Sequence, residues 1–374
     1  MAPEDVPENV PEGTRARPIT PITERSEFRW WTGAVTFAAL AALLVAVIAV
    51  AMANSAKSST GRTKTVAVAE SAGPKIDFSA TAPPGFKPRD PVAPPTAPGT
   101  VHQITLHAKE GQLEIAPGHV QEMWSFNGTV PGPVLRGKVG DTFEVTLVND
   151  GTNGHSIDFH ASKVAWNVEM RTINPGESLV YRFEAKHAGI FMYHCGTPPV
   201  IHHIGNGMYG AIIIDPPDLP PVDHELVMLQ SELYTAPPGQ VADVAKMLAE
   251  KWDAVVFNGY VNQYKFAPIR VEPGQRVRIW VLDEGPSENS SFHVIGTIFD
   301  TVFKEGTYTL RPGPSLGGSQ ALDLQPAQGG FVEFTFDVPG MYPFVTHKFA
   351  SASKGALGLF QAGDVKMPAA GGGH

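Results

Sequence analysis

The stretch YHCGTPPVIHHIGNGM carries residue types that bind soft transition metals. It contains Cys195, the only cysteine of the chain, with His194 directly before it and His203 and Met208 after it. Two imidazoles, a thiolate and a thioether form the ligand set of a blue-copper electron-transfer centre. A single cysteine excludes an intrachain disulfide and a CxxC metal site. The alternative is a buried cysteine that packs as a small hydrophobic residue beside surface histidines.

The upstream motif GHSIDFH supplies further ligands if it forms a strand. Side chains alternate between the two faces of a strand, so His155 lies on one face and Asp158 and His160 lie on the other. The neighbours His194 and Cys195 must also point to opposite faces. His155 can therefore meet Cys195 on one side, and His160 can meet His194 on the other. This arrangement predicts two metals that are served by adjacent residues.

Two adjacent histidines, His202 and His203, follow the cysteine, and either could be the second imidazole of the Cys195 site. We predict His203 because of its spacing to Met208. His202 is then expected to be exposed at the edge of the metal, where an electron donor could dock. The alternative is that His202 is an ordinary surface histidine.

The second metal has only His160 and His194 from this part of the chain and needs a third protein ligand. His347 is the natural candidate, since it ends the equivalent strand of a second sequence copy. Pseudo-symmetry places that strand away from the first copy within one chain, so the third ligand is expected from a neighbouring subunit. In the alternative interpretation, His347 caps a loop.

The elements that position these residues are short apolar, β-rich runs separated by Gly, Pro, Asn and Asp, which predict β-sandwiches. The runs form two copies, because FNG occurs at 126–128 and again at 257–259, and VGDTFEVTLVNDG is matched by PGQRVRIWVLDEG. The predicted fold class is therefore all-β, with two similar β-sandwich domains. The predicted segments are a first domain at 101–216, a second domain at 222–365 with the only expected short helix at 241–252, and a tail at 366–374.

The N-terminal part has a different character. Residues 30–53 form an uncharged apolar run that is long enough to span a bilayer as a helix, whereas a signal-peptide core usually has about 7–15 residues. We predict a retained single-pass anchor in the cell membrane, with residues 1–29 in the cytoplasm and the later domains on the extracytoplasmic side. A cleaved signal peptide is the alternative. Residues 54–100 are rich in Pro and Ala and predict a flexible linker.

The bulk composition restricts the class of partner. The chain has 374 residues, of which 43% are hydrophobic, and this suits one or two globular domains with extra segments. Its net charge is −9 and its isoelectric point is about 5.8, so it lacks the basic excess of nucleic-acid-binding proteins. Nucleic-acid binding is therefore not expected.

In these motifs the chain resembles the copper-containing nitrite reductases, in their compact-loop class. The resemblance runs from about residue 101 to residue 365 and rests on FNGTVPGPVLRGKVGD, HSIDFH, YHC with HHIGNGMYGAII, SSFHVIGTIFD and VTHKFASASKGALG. It implies two cupredoxin-like Greek-key domains per chain and a homotrimer. It also implies one type 1 copper and one type 2 copper per chain, with the type 2 copper at the subunit interface.

The resemblance assigns roles residue by residue. Asp158 matches the active-site aspartate, His293 matches the second-domain histidine, and Ile295 matches the apolar residue that shapes the nitrite pocket. The type 1 ligands it implies are His155, Cys195, His203 and Met208. The type 2 ligands it implies are His160, His194 and, from the next subunit, His347.

The implied activity is the dissimilatory type of nitrite reduction, a one-electron reaction that gives nitric oxide, with an external cupredoxin or cytochrome as donor. Two alternatives remain. A non-catalytic copper electron-transfer protein would need only the Cys195 site. A two-domain laccase-type multicopper oxidase would need several His-x-His pairs and a His-Cys-His, but the chain has no His-x-His and Gly196 follows Cys195.

Overall fold

The structure is a computed structural model that describes residues 75–314 and 317–366. These residues form nineteen strands and five short helices, so the predicted all-β class is confirmed. The predicted membrane span at 30–53 lies outside the described residues, as does the tail beyond residue 366. Within the described ranges, no helix is long and apolar enough to cross a membrane.

Eight strands between residues 101 and 215 build two four-stranded sheets. In chain order they are β1 (Val101–Ala116), β2 (His119–Phe126), β3 (Leu135–Lys138), β4 (Thr142–Asn149), β5 (Asp158–Phe159), β6 (Ser178–Glu184), β7 (Gly189–His194) and β8 (Tyr209–Asp215). One sheet has the order β2-β1-β4-β6 and the other has the order β3-β8-β7-β5. Their facing side chains, among them Phe143, Tyr181, Tyr193 and Ile212, form one buried cluster, so the two sheets pack as a sandwich.

Eleven strands between residues 224 and 362 build a six-stranded and a five-stranded sheet. They are β9 (His224–Leu233), β10 (Ala254–Phe257), β11 (Ile269–Val271), β12 (Arg276–Gly285), β13 (Ser290–Val294), β14 (Thr301–Lys304), β15 (Thr307–Leu310), β16 (Leu322–Leu324), β17 (Gly329–Thr335), β18 (Gly340–Thr346) and β19 (Leu357–Ala362). The sheet orders are β10-β9-β12-β17-β14-β15 and β11-β19-β18-β13-β16. Val277, Phe292, Val332 and Phe344 belong to the buried cluster between them.

Both sequence copies of FNG form the same turn. Asn127 and Asn258 have positive φ angles of 58° and 53°, and the glycine after each is also in the left-handed region. In both copies the asparagine Oδ1 accepts a hydrogen bond from a backbone N–H of a neighbouring strand, that of His107 at 2.7 Å and that of Leu229 at 2.9 Å. Asparagine and glycine tolerate this conformation better than other residues, which explains why the tripeptide recurs.

A further buried cluster lies between the sheets of the first half and those of the second half. Met192 and Ile213 contribute to it from the first half, and Trp280 and Phe331 contribute from the second. Every residue of β8 is buried, because this strand has the sandwich core on one face and this cluster on the other. Burial on both faces accounts for the unbroken apolar run AIII. We retain the two domain ranges given by the sequence repeat as a proposal.

The helices are α1 (Trp166–Glu169), α2 (Val200–Gly205), α3 (Val244–Leu248), α4 (Gln263–Phe266) and α5 (Phe349–Ala352). Only α3 lies in the segment predicted to be helical, and it is shorter than the predicted range at both ends. Asp243 has an extended backbone, and its side chain caps the helix by accepting a hydrogen bond from the Ala245 N–H. Glu250 has a φ of 53°, which prevents continuation past Ala249. The other four helices were not predicted, because one or two turns show no helical period.

Residues 75–100 belong to the segment predicted to be a flexible linker, and in the structure they lie against the second half. Gln263 Oε1 accepts a hydrogen bond from the Arg89 N–H at 2.9 Å, and Asn262 Nδ2 donates to the Phe78 carbonyl at 3.1 Å. Ala93 N–H donates to the Glu225 carbonyl, at the edge of β9, at 2.9 Å. This described part of the linker is therefore held by the fold.

Candidate metal centres

The register between β5 and β7 determines on which face of the sheet the predicted ligands lie. The short strand β5 pairs antiparallel with the end of β7, with Asp158 opposite His194 and Phe159 opposite Tyr193. Residues that face each other in a ladder point to the same side of the sheet, so Asp158 and His194 share one face. Cys195 follows His194 and points to the opposite face, toward the sandwich core.

A buried group forms around the cysteine. One ligand atom from each of His155, Cys195 and His203 lies within 4.8 Å of the others. Cys195 Sγ is 3.3 Å from His203 Nδ1, and His155 Nδ1 is buried with no hydrogen-bond partner among the described residues. Met208 is fully buried, and its carbonyl accepts a hydrogen bond from the Cys195 N–H at 3.1 Å. The four predicted type 1 ligands are therefore on neighbouring segments.

Burial and neighbouring groups shift the pKa values of the thiol and the imidazoles in the buried group. Burial raises the pKa of the Cys195 thiol, and hydrogen bonds from Ser156 and Thr197 oppose that rise. The Ser156 N–H donates to Sγ at 3.3 Å. Burial, and then the charges of His155 and His202, lower the pKa of His203 to about 4. Burial also lowers the pKa of His155, although Glu110 opposes the shift. Both imidazoles are consequently neutral near pH 7 and offer lone pairs, as a metal requires.

A second group lies on the other face, and we call it the exposed group because His160 is exposed and the other two members are partly buried. It consists of Asp158, His160 and His194, whose ligand atoms also lie within 4.8 Å of one another. The two Nε2 atoms are 3.1 Å apart. His194 Nδ1 is 2.9 Å from the Cys195 carbonyl, which can only accept, so Nδ1 carries the proton and Nε2 keeps a lone pair. Burial, followed by the charge of His194, lowers the pKa of His160, while Asp158 opposes the shift.

His293 and His347 lie together in a separate pocket, with ring centroids 5.6 Å apart. The pocket has a volume of about 310 Å³ and is also lined by Ser291, Gln320 and Ala321. His293 Nδ1 donates a hydrogen bond to the Gln320 carbonyl, which leaves its Nε2 free. His347 is exposed and follows the last residue of β18.

The pocket and the exposed group are not joined within the chain. Across the described ranges, no hydrogen bond or ring contact links His347 to His160 or His194. Ile295 is near the pocket but does not line it, and its N–H donates to the Pro343 carbonyl at 2.8 Å.

His202 is half-buried, which differs from the exposed position expected from the sequence. Its Nε2 donates to the Ala242 carbonyl at 2.9 Å, and its ring lies 4.8 Å from that of Trp124. The Trp124 ring is also 4.8 Å from the ring of His203. The segment before α3 and this tryptophan together cover a residue that the sequence pattern had placed at the surface.

Three residues around the buried group were not found from the sequence. Ser156 acts through its backbone N–H, Trp124 packs on the histidines, and Glu110 Oε1 lies 3.2 Å from His155 Nε2. Burial on its own raises the pKa of Glu110, but hydrogen bonds from Thr152, Asn153 and His155 outweigh it and lower the pKa to about 2. Neither the spacing nor the alternation of the sequence signals these contacts.

The donor set of the buried group fits copper. It offers one sulfur, two imidazole nitrogens and a nearby thioether, and Nδ1 of His155 is buried without a hydrogen-bond partner among the described residues. Soft thiolate and thioether ligands combined with imidazole select copper over hard cations such as Mg²⁺ or Ca²⁺.

Comparison with known proteins agrees with this donor set. A family model described as multicopper oxidase matches residues 107–219. A copper-containing nitrite reductase of Neisseria meningitidis serogroup A is 36% identical over 278 residues, which cover 71% of this chain and 70% of that protein.

Solved structures give the same result. A copper nitrite reductase from Nitrosomonas europaea aligns with a TM-score of 0.65 and 36% identity over 73% of this chain and 98% of that chain. A structure described as a multicopper oxidase aligns with a TM-score of 0.62 and 29% identity over 79% of this chain and 99% of that chain. These alignments confirm the cupredoxin-like sheets and copper as the cofactor. By its similarity to the Neisseria and Nitrosomonas proteins, the chain belongs to the copper-containing nitrite reductase family.

Proposed function

We propose that this protein reduces nitrite to nitric oxide, taking up one electron and two protons and releasing water. The observation that carries the proposal is the adjacency of His194 and Cys195, which belong to two different groups of ligand atoms. A buried redox site and an open substrate site joined by one peptide bond suit a reaction that needs one electron per turnover. When bound, copper supplies one-electron transfer at the buried group and Lewis acidity at the exposed group.

We assign the buried group as the type 1 site and the exposed group as part of the type 2 site. Burial of the first group excludes water and substrate, as an electron-transfer site requires. The exposed group has two imidazoles in place and lacks a third. We propose that His347 of the partner subunit supplies it, because His347 is exposed and has no contact with the pair within the chain. The type 1 ligands are His155, Cys195, His203 and Met208, and the type 2 ligands are His160, His194 and His347.

We propose a homotrimer, and this exchange of ligands supports it. Each chain would give His160 and His194 to one site and His347 to another, which is a head-to-tail contact between different surfaces. Such contacts close into a ring when the rotation between copies allows it, and a ring of three chains would complete all three sites.

Asp158 and His293 are the groups that would carry protons. Asp158 is partly exposed beside the histidine pair, and the Tyr181 hydroxyl lies 3.5 Å from its Oδ1. His293 has its Nδ1–H committed to the Gln320 carbonyl, so its Nε2 is the atom that can accept and release a proton. Ile295 would supply an apolar wall near nitrite.

The alternatives explain less of the molecule. A copper carrier would need only the buried group and gives no reason for two imidazole Nε2 atoms 3.1 Å apart beside a carboxylate on the open face. A laccase-type oxidase shares the fold of the matched multicopper oxidases, but its trinuclear cluster needs His-x-His pairs that this sequence does not contain.

We also propose that residues 30–53 anchor the protein in the cell membrane and that the copper-binding part lies on the extracytoplasmic side. The support is the uncharged apolar run itself. An external cupredoxin or cytochrome would then deliver electrons. Alkaline carbonate extraction of cells that express the full chain should leave it in the membrane pellet. A released protein whose N-terminus lies after residue 53 would contradict the anchor.

Nitric oxide release tests the function directly. The full-length copper-loaded protein, with nitrite and a reduced dye under argon, should produce nitric oxide at an electrode. His347→Ala should abolish the signal while the absorption of the buried copper site persists. If the wild-type protein holds both coppers and releases no nitric oxide, the substrate assignment is wrong.

A further inference from the structure

We infer that Glu110 is a positioning residue for His155, an inference that rests on the type 1 site proposed above. Glu110 Oε1 lies 3.2 Å from Nε2 of His155, while Nδ1 on the other side of the ring has no partner among the described residues. An ionised carboxylate can only accept a hydrogen bond, so Nε2 carries the proton and donates it. This tautomer turns the lone pair of Nδ1 toward Cys195 and the metal.

The Glu110 carboxylate is itself held in place by the loop between β4 and β5. Its Oε1 accepts hydrogen bonds from the Asn153 N–H and the Asn153 Nδ2, both at 2.8 Å, and from the Thr152 N–H at 3.1 Å. Its Oε2 accepts a hydrogen bond from the Thr152 hydroxyl. These bonds hold the carboxylate independently of His155, so its position is not set by the histidine alone.

A glycine lies where the loop passes closest to the carboxylate. A Cβ atom on Gly151 would lie 2.9 Å from Glu110 Oε1 and 3.3 Å from Asn149 Oδ1. The contact is also shielded from water, since the side chain of Glu110 is 10% exposed and that of His155 is fully buried. A hydrogen bond in such a low-dielectric setting is stronger than one at the surface.

Positioning by a carboxylate has two measurable consequences. It orders the imidazole, and loss of such an outer partner typically weakens metal binding about 10–100-fold. It also makes the imidazole more basic, which favours the more highly charged Cu(II) over Cu(I). Without the carboxylate the reduction potential should therefore rise. A tenfold greater loss of Cu(II) affinity than of Cu(I) affinity corresponds to about 59 mV.

The test compares Glu110→Gln with the matched control Glu114→Gln in the full-length protein. Glu114 lies on the same strand and is exposed, and its Oε1 accepts a hydrogen bond from the Gly118 N–H rather than from a ligand. Chelator competition and redox titration followed by type 1 absorption give affinity and potential. We expect about 10–100-fold weaker copper binding and a raised potential for Glu110→Gln only. Wild-type affinity and potential in Glu110→Gln would overturn the inference.

A second measurement needs no variant and applies if Glu110→Gln does not fold. Neutron diffraction from copper-loaded wild-type crystals should show a deuteron on His155 Nε2 directed at Glu110 Oε1, and none on the carboxylate. A deuteron on Glu110, or an Nε2–D bond directed at water, would overturn the inference. Both measurements report on the type 1 site alone. A protein that binds blue copper but releases no nitric oxide would fail the proposed function and leave the role of Glu110 testable.

Discussion

Oδ2 of Asp158 lies 3.8 Å from Nε2 of His194, which is beyond the range of a direct hydrogen bond. The same oxygen is 3.9 Å from Nε2 of His160. At this distance the carboxylate does not hydrogen-bond to either imidazole, so it does not hold a proton on the nitrogen atoms that would bind a metal. A water could bridge polar groups at such a separation, so the proposed proton transfer from Asp158 does not need a direct contact.

Asp158→Asn should therefore retain both coppers and lose most turnover. The amide keeps the size of the side chain and removes its ability to take up and release a proton. General acid–base catalysis contributes about 10²–10⁴-fold, so we expect kcat to fall within that range. Nitric oxide production would be measured together with copper content. Asp150→Asn, at an exposed aspartate that pairs with His107, is the control and should behave as wild type. Full activity in Asp158→Asn would remove Asp158 from the mechanism.

Two inactive variants should restore each other if the type 2 site is shared between chains. His160→Ala damages the first-half ligands, and His347→Ala damages the ligand donated to a neighbour. The two chains are mixed at equal amounts, so each position in a ring holds either variant with equal probability. About one quarter of the interfaces then pair an intact His160 from one chain with an intact His347 from the next. We expect activity to reappear at about that fraction of wild type, as measured by nitric oxide release. If mixed assemblies remain inactive while purified trimers contain both chains, the shared site is wrong.

Glu284→Gln should stabilise the protein at neutral pH. Glu284 is 1% exposed, and neither carboxylate oxygen has a hydrogen-bond partner among the described residues. Burial, and then the charge of Asp283, raise the pKa of Glu284 well above its usual value of 4.5. The folded protein thus holds a proton that the unfolded chain releases above that pH. Folding is penalised increasingly as pH rises from 4.5 toward the folded-state pKa.

Glutamine does not titrate in this pH range, so the variant lacks this penalty on folding. We expect a gain in the free energy of unfolding at pH 7. The gain should shrink as the pH falls below about 4.5, where Glu284 is protonated in both the folded and the unfolded wild-type protein. Denaturant melts of variant and wild type at pH 7 and pH 4 measure both values. An equal difference at the two pH values would contradict this account.

The two equivalent asparagines of the FNG turns should differ in their contribution to stability. Asn127 is exposed and its side chain has one hydrogen bond, from the His107 N–H. Asn258 is buried and its Nδ2 also donates to the Val227 carbonyl and to the Tyr264 hydroxyl. Asn258→Ala removes these two buried hydrogen bonds and the one from the Leu229 N–H, so we expect a loss of about 2–4 kcal/mol, against about 1 kcal/mol for Asn127→Ala. Equal losses in denaturant melts would show that burial does not distinguish the turns.

The division of the ligands between two faces could be predicted from the sequence, although only Asp158 and Phe159 of the GHSIDFH motif form a strand. Side-chain direction in an extended chain depends only on whether residue numbers differ by an odd or an even step. That rule alone separated His155 from His160, and His194 from Cys195, and the structure places these residues in two groups on two faces. The all-β class followed in the same way from short alternating runs.

Contacts between distant strands could not be predicted in this way. Glu110 is 45 residues from His155, and nothing in a single sequence marks two such positions as neighbours. The burial of His202 depends on a hydrogen bond to Ala242, 40 residues later. Short helices such as α1 and α5 have about one turn each, too few residues to show a helical period, so they too leave no sequence pattern.

The adjacency of His194 and Cys195 at the end of β7 makes this strand sensitive to changes in length. Inserting or deleting one residue before them would reverse the parity of both positions, turning the imidazole toward the core and the thiol toward the open face. Both groups of ligand atoms would be lost in a single event. An indel of two residues would preserve the parity, so deep insertion scanning of β7 should show a period of two in tolerance. In this strand, length is constrained more tightly than composition.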